Sequence, residues 1–511
     1  MIEQKSKQKI FALDNLKQVA QSHRAQGYRI VLCHGTFDLM HIGHLRYLQR
    51  ARREGDVLYV TVTSDRYVNR GPGRPVFAEG LRAESLAALE CVDIVAINDA
   101  PTAMNVIEHI KPDVYVKGSE YRDLDSDLTS NIRFECDAVE ANGGRIFFTD
   151  EMRFSSSSLL NQHFGLFPPQ ISNYLNHFRR CCSAEQVIDQ IRRIKKMRVL
   201  VVGEAIIDEY HYTSPLGQTG KGNALAVNYV DREKFAGGAI AVANHIAGFA
   251  GSVTLVSGLG RERSQEEFVR SNLLKNVEPA FFYVNDAPTL VKRRYVDEGL
   301  NKLFEVYFYN DAPLPESVEQ SVCSWLREYA KNFDVVVVPD FGNGFISNNM
   351  AWTLSECSRF LAVNTQINSG NRGYHVVQRY PKANFISLNE PELRMAARNR
   401  HDPLLSLAHS VGGELGASHI AVTRGIRGVL MYSVIDRQKI EIPALSLSVV
   451  DRVGAGDAFL SLAGIALGCG LDAEIAAFVG SAAAALDVQI VCNRESVNPS
   501  SLFKYITTLF K

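Results

Sequence analysis

At 511 residues, 46% of them hydrophobic, the chain is too long for one ordinary core and is expected to form at least two domains. Its 55 basic and 56 acidic residues leave a formal net charge of −1, with no Lys/Arg block dominating any segment, which argues against a nucleic-acid or membrane-surface protein but leaves room for a local basic pocket. The opening MIEQKSKQKIFALD lacks an apolar signal core and the nine cysteines show no paired zinc spacing, so a cytoplasmic enzyme with reduced thiols is expected.

From Leu13 to Gln26 the apolar spacing is helical, and strand-like and helix-like stretches then alternate over 29–33, 43–53, 57–63, 79–90, 92–97, 102–110 and 113–116. This is the rhythm of a parallel α/β sheet. A last strand, Arg145 to Thr149, and a serine run close the first domain, taken as 1–165. Residues 166–196, with Pro168-Pro169 and a charged helical stretch, are expected to be a linker. A second α/β series, 197–511, opens on the strand Arg198 to Gly203 and includes strands at Val335–Val338, Phe385–Leu388 and His419–Thr423. Within it, 209–235 and 281–309 alternate polar and apolar residues and predict a small projecting sheet.

The first strand runs into HGTFDLMHIGH, residues 34–44, and then into a helical pattern. A strand feeding a helix N-terminus is a ready anion site, because unpaired N–H groups and the positive dipole end face outward. His41 and His44 lie one turn apart on one helix face, and Gly43 leaves room for a nucleotide against the backbone. Two imidazoles there suit an α-phosphate whose negative charge grows in the transition state. An isolated pair at this spacing also suits a structural or metal-site role, and the preceding Gly35-Thr36-Phe37-Asp38 makes the signal more specific.

This stretch resembles the signature of the nucleotidyltransferase superfamily that includes glycerol-3-phosphate cytidylyltransferase and heptose-1-phosphate adenylyltransferase. The likeness continues through TSDRYVNRGPGRPV (63–76), LRAESLAALECVDIV (81–95), KPDVYVKGSEY (111–121) and FSSSSLLN (154–161). It implies a Rossmann-like domain in which His41 and His44 contact the triphosphate and Lys117 lies near the phosphates. Gly35, Thr36, Phe37 and the serines Ser155, Ser156 and Ser157 would hold the nucleotide. For any single serine, an N-cap followed by a loop is the plainer alternative.

A second signal is VVDRVGAGDAFLS, residues 449–461. Gly454, Ala455 and Gly456 let the backbone wrap an oxyanion at a helix start, where Asp457 can accept a proton from an attacking hydroxyl. A bare GAGD equally suits a glycine-rich turn capped by Asp. The surroundings resemble the ribokinase-like sugar kinases across roughly 197–495, nearest the heptose-phosphate kinases. The resemblance implies an α/β sandwich with a small β lid. Asp208 of VVGEAIIDEY, Gly237 and Gly238 of FAGGAIAVANHIAGFAG and Lys292 of TLVKRRYV would bind the sugar. Asn389 and Glu392 of SLNEPEL would organise Mg2+, and Thr423, Gly425 and Gly428 of VTRGIRGVL would lie near the nucleotide. GQTGKG at 217–222 lacks the spacing of a phosphate-binding Walker loop.

The two resemblances imply a two-domain α/β enzyme of nucleotide-activated sugar synthesis. The kinase half would use MgATP, and the transferase half would join NTP to a sugar 1-phosphate. Small-molecule sugar phosphate and NTP are then the partners, and a homodimer through the kinase lid is expected. The order of the halves is the reverse of the heptose enzyme's. Related kinases usually have Asn where Ala241 stands, and an aspartate-lysine pair where this chain reads AVNTQINSGNRG, residues 362–373, with Asn364. The alternative is a CTP-dependent alditol-phosphate cytidylyltransferase fused to a kinase-like module that only binds or oligomerises.

Overall fold

A computed structural model describes residues 8–68, 75–118, 131–149, 167–220 and 222–511. The chain divides into two compact units, one of residues 1–168 with 503–511 and one of residues 169–502.

The first unit is built on six strands: β1 (Ile10–Phe11), β2 (Ile30–Gly35), β3 (Val57–Thr63), β4 (Ile94–Asn98), β5 (Val114–Gly118) and β6 (Arg145–Thr149). They pair in the order β1-β4-β3-β2-β5-β6, every pair parallel. Helices cover both faces, so β3 is buried at all seven positions and reads as a continuous apolar run rather than an alternating one. Val31, Cys33, Val60 and Val62 pack on one face, and Ile30, Leu32, Tyr59 and Tyr115 on the other.

The second unit holds a nine-stranded sheet and a four-stranded one. In chain order its strands are β7 (Arg198–Val202), β8 (Ala205–Gln218), β9 (Leu225–Gly238), β10 (Ser252–Glu262), β11 (Val277–Pro288), β12 (Val291–Val296), β13 (Lys302–Phe308), β14 (Val335–Asp340), β15 (Leu361–Thr365), β16 (Phe385–Asn389), β17 (His419–Thr423), β18 (Val429–Ser433) and β19 (Gln438–Ile442). The large sheet runs β11-β10-β7-β14-β15-β16-β17-β18-β19 and is parallel until the two antiparallel pairs at its β18–β19 edge. The small sheet, β13-β12-β8-β9, is the expected lid.

Two elements differ from expectation. Residues 281–288 belong to β11, which pairs with β10 in the large sheet, because Phe281, Phe282 and Tyr283 continue that register rather than the lid's. The expected linker is two helices, Pro169–Cys181 and Ala184–Arg193. They bury Ile171, Leu175 and Phe178 and then Val187, Ile188 and Ile191, and Phe178 stacks near Phe478 with ring centroids 4.6 Å apart. Apolar residues spaced by three and four give both helices a packed face, so they belong to the second unit's core.

Candidate functional site

In the first unit, β2 delivers His34 and Gly35 to the carboxyl edge of the sheet, where open α/β folds bind ligands. Phe37 then takes a left-handed conformation, φ +48°, and turns its ring into the core. A Cβ at Gly35 would stand 3.2 Å from that ring, so the turn favours glycine. His41 caps the Ile42–Arg52 helix: its Nδ1 accepts the Gly43 N–H at 3.0 Å. That bond puts the proton of a neutral His41 on Nε2. The rings of His41 and His44 stack at 4.0 Å, and burial lowers the His41 pKa, so a neutral donor is presented at the helix N-terminus.

Two supports of this turn escaped sequence reasoning. Asp38 Oδ1 accepts the N–H groups of Val76 and Phe77 at 2.7 and 3.1 Å. Arg82, fully buried, donates to the carbonyls of Thr36, Thr63 and Phe77 and pairs with Asp65. The only local trace of that role is one arginine on the apolar face of LRAESLAALE.

Lys117, at the end of β5, lies 3.1 Å from Glu135 Oε2 and over the Tyr115 ring. Both partners of the ion pair are buried. Tyr115 Oη donates to the same Glu135 oxygen at 2.9 Å, and the Ala103 N–H donates to the other at 2.8 Å. Burial pushes the Glu135 carboxyl up, yet the Lys117 charge and these donors hold it below its ordinary value. Beside them, burial and the Lys117 charge take the His34 pKa down to about 4. Ser155, Ser156 and Ser157 lie outside the described residues.

In the second unit, the register of β8 with β12 sets Asp208 opposite Lys292, and Arg294, one step further along the same lid face, pairs with the Asp208 carboxylate. All three are buried. Gly237 faces Ile206 across β8 and β9, and a Cβ there would overlap the Asp208 carboxylate. Gly238 has φ +59° and packs against the Glu204 carbonyl. Burial lowers the Lys292 pKa, and Asp208 resists the shift.

Asp457 lies in the first turn of the Ala455–Gly468 helix, whose N-cap is Gly454 at φ +103°. Its surroundings push the carboxyl up to about 7, through desolvation first and the Asp208 charge second, with Lys292 opposing. Asp208, Lys292 and Asp457 therefore share one electrostatic neighbourhood. Thr423 pairs with Asn389 at the carboxyl ends of β17 and β16, and Gly425 and Gly428, both at positive φ, carry the turn that follows. The Arg424 N–H closes that turn on the Gly428 carbonyl at 2.8 Å.

Asn389 and Glu392, expected to organise magnesium, form a reciprocal capping box on the Glu390–Ala396 helix. Asn389 Oδ1 accepts the Glu392 N–H, Glu392 Oε2 accepts the Asn389 N–H at 2.8 Å, and Glu392 Oε1 accepts the Ile367 N–H at 3.2 Å. Burial pushes the Glu392 carboxyl up to about 7, against the pull of its backbone N–H donors. No group of three or more acidic, histidine or cysteine side chains among the described residues has the geometry to hold a metal. Ala241 is buried and offers no polar atom, while Asn364 Nδ2 donates to the Ser387 carbonyl and ties β15 to β16.

Comparison with known proteins is consistent with both halves. The family model for pfkB family carbohydrate kinases matches residues 196–497, and the one described as cytidylyltransferase-like matches residues 32–162. "Bifunctional protein HldE" of Syntrophotalea carbinolica is 40% identical over 144 residues, 28% of each chain. Its namesake from Geobacter metallireducens is 43% identical over 140 residues, 27% of each. The matched region thus spans under a third of these relatives. Phosphofructokinase-2 from Escherichia coli superposes with a TM-score of 0.50 at 17% identity, over 62% of this chain and all of that one, a likeness of fold. With more than half of its residues matched, the chain belongs to the pfkB family of carbohydrate kinases.

Proposed function

We propose that this pfkB-family chain is a bifunctional enzyme of nucleotide-activated sugar synthesis. Its C-terminal unit phosphorylates a sugar or sugar phosphate with ATP, and its N-terminal unit joins a sugar 1-phosphate to the nucleoside monophosphate part of an NTP. The observation that carries this reading is Asp457, an acid held near neutrality at a glycine-rich helix start, beside Asp208 and the interior cation Lys292.

In the kinase step, Asp457 takes the proton of the sugar hydroxyl as that oxygen bonds to the γ-phosphorus, and the bond to the β–γ bridging oxygen breaks to release ADP. The N–H groups of the Gly454–Gly456 turn and the Lys292 ammonium meet the phosphoryl charge. Magnesium carried by ATP would neutralise its phosphates. Asn389 and Glu392 would organise it, Glu392 through a water, because each of their oxygens accepts one backbone N–H and keeps a second lone pair.

In the transferase step, a sugar 1-phosphate oxygen attacks the α-phosphorus of NTP and pyrophosphate leaves. His41, through Nε2–H, and His44 stabilise the charge that builds on the α-phosphoryl oxygens, with Gly35, Thr36 and Phe37 as the nucleotide floor. Lys117, held by Glu135, adds positive charge at the edge of β5.

Resemblance to the heptose enzymes favours a heptose phosphate, ATP in both halves and a surface glycan such as lipopolysaccharide as destination. A cytoplasmic setting suits these substrates, and no helix among the described residues is long and apolar enough to cross a membrane. The lid strands expose Leu216, Tyr229, Val230 and Phe304, the apolar surface through which a second copy would pair. Ala241 and Asn364 support a second reading, a CTP-using alditol-phosphate transferase whose kinase-like half only binds. Incubating the full chain with a panel of sugars and sugar phosphates plus ATP or CTP, read by phosphorus NMR, decides between them. Sugar-dependent ADP formation supports the first reading, and CTP consumption without it supports the second.

A further inference from the structure

Beneath the Gly454 turn lies a buried acid for which phosphoryl transfer has no direct use. Asp487 ends the Ala473–Asp487 helix at 0% exposure, and neither carboxylate oxygen meets a hydrogen-bond donor among the described residues. A Cβ at Gly454 would lie 2.7 Å from Asp487 Oδ2 and 2.7 Å from Asn493 Oδ1, a second buried oxygen without a donor. On its other side stands His245 of the Ala239–Ala247 helix, buried everywhere but at Asn244, with Nε2 at 3.6 Å from Asp487 Oδ1. His245 Nδ1 accepts the Val497 N–H at 3.0 Å, so the proton of the neutral imidazole sits on Nε2 and faces the acid.

The charged groups that reach Asp487 are Asp457 from the helix start and Asp451 from the preceding loop, both negative. Asp451 is itself satisfied by Tyr210 Oη and the N–H groups of Val453 and Cys492. A bare carboxylate in this place would be unpaired, desolvated and repelled, at a cost that favours the protonated acid. As an acid, Asp487 has a proton to offer to one of the acceptors crowding the Gly454 turn. Burial and the two aspartates push its pKa well up, while burial takes that of His245 down to about 4.

We propose that Asp487 and His245 form a buried proton-holding pair that carries the Gly454 turn and positions Asp457, and that ionisation of Asp487 closes the kinase reaction on its alkaline side. The proposal rests on the kinase reading above. Asp487 is a positioning residue: it touches the turn that would receive phosphate, and ionised it would set a second negative charge behind both Asp457 and the phosphoryl group.

The test uses the full chain. Asp487→Asn keeps the shape and cannot ionise, so its kinase rate against pH, scaled to its own maximum, is expected to lose the alkaline limb and keep the acid limb that Asp457 sets near 7. His245→Leu removes the Nε2–H that faces Asp487 and is expected to move the alkaline limb to higher pH. Wild-type alkaline limbs in both variants overturn the proposal, as does a potassium requirement that Asp487→Asn abolishes, since the oxygens would then be holding a cation. Thermal unfolding judges the pair without any kinase assay. The unfolded chain loses the Asp487 proton near pH ~4 while the folded chain keeps it, so the Tm of Asp487→Asn should rise increasingly above that of wild type as pH goes up from there. A gap that does not grow with pH overturns the proposal. Failure of every sugar to elicit ADP from the wild type would instead remove the kinase reading and leave the melting result standing.

Discussion

Asp457 must be ionised to accept a proton, and its surroundings resist ionisation. With its carboxyl raised to about 7, the competent fraction should fall about tenfold for each pH unit below that value, so kinase kcat should climb through the neutral range and level off above it. The same shift has a sign for stability. A carboxyl whose folded pKa exceeds the unfolded one stabilises fully below the unfolded value and loses that contribution as pH rises through the folded one. Asp457→Asn should therefore melt higher than wild type at neutral pH while sugar-dependent ADP release collapses, measured side by side by calorimetry and coupled assay. Gly237 gives a steric counterpart. A methyl group there overlaps the Asp208 carboxylate, so Gly237→Ala should raise the sugar KM steeply or abolish turnover. An unchanged KM would show that Asp208 does not face the sugar.

At the scale of elements, the Glu390–Ala396 helix is held by its capping box and by the tie from Glu392 to Ile367, which joins the loop after β15 to the helix that follows β16. Glu392→Gln keeps one acceptor oxygen where the carboxylate offered two, so one backbone N–H loses its partner at about 1–2 kcal/mol. The expected result is a lower midpoint in urea together with a raised magnesium requirement of the kinase. An unchanged requirement would show that Glu392 is a helix cap alone. In the transferase half, Glu135→Gln removes the charge that holds Lys117 and keeps hydrogen-bonding capacity toward Tyr115 and Ala103. Transferase kcat is expected to drop with kinase turnover untouched. The parallel strands were legible because burial on both faces leaves apolar runs such as Val335–Val338, and the two glycine-rich turns were legible because anion binding at a helix start demands small residues at fixed spacing. What local sequence did not encode was pairing across long separations. Arg82 reaches Thr36, Glu135 reaches Ala103 and Asp487 faces His245, each from a segment whose own pattern reads as ordinary helix. The helices at 169–193 follow Pro168-Pro169 and carry many charged residues, which suits a linker, and only the period of Ile171, Leu175 and Phe178 marks their packed face.

At the scale of the whole molecule, each compact unit holds the residues proposed for one phosphate transfer, and neither set crosses into the other unit. The histidine stack, the Phe37 turn and the Lys117–Glu135 pair lie within residues 1–168, and Asp208, Lys292 and Asp457 within residues 169–502. Two sites so built should fail separately. His44→Ala removes a transition-state donor and should lower pyrophosphate exchange by about 10²–10³-fold, the scale set by loss of one preorganised donor. Its kinase rate should stay at the wild-type level, and Asp457→Asn should show the opposite pattern. Both activities are to be measured on the full chain, because residues 503–511 cluster with the first unit and a cut after residue 165 would discard them. Equal loss of both activities in a folded His44→Ala protein would mean that the chemistry is shared, and the assignment of one reaction to each unit would have to be abandoned.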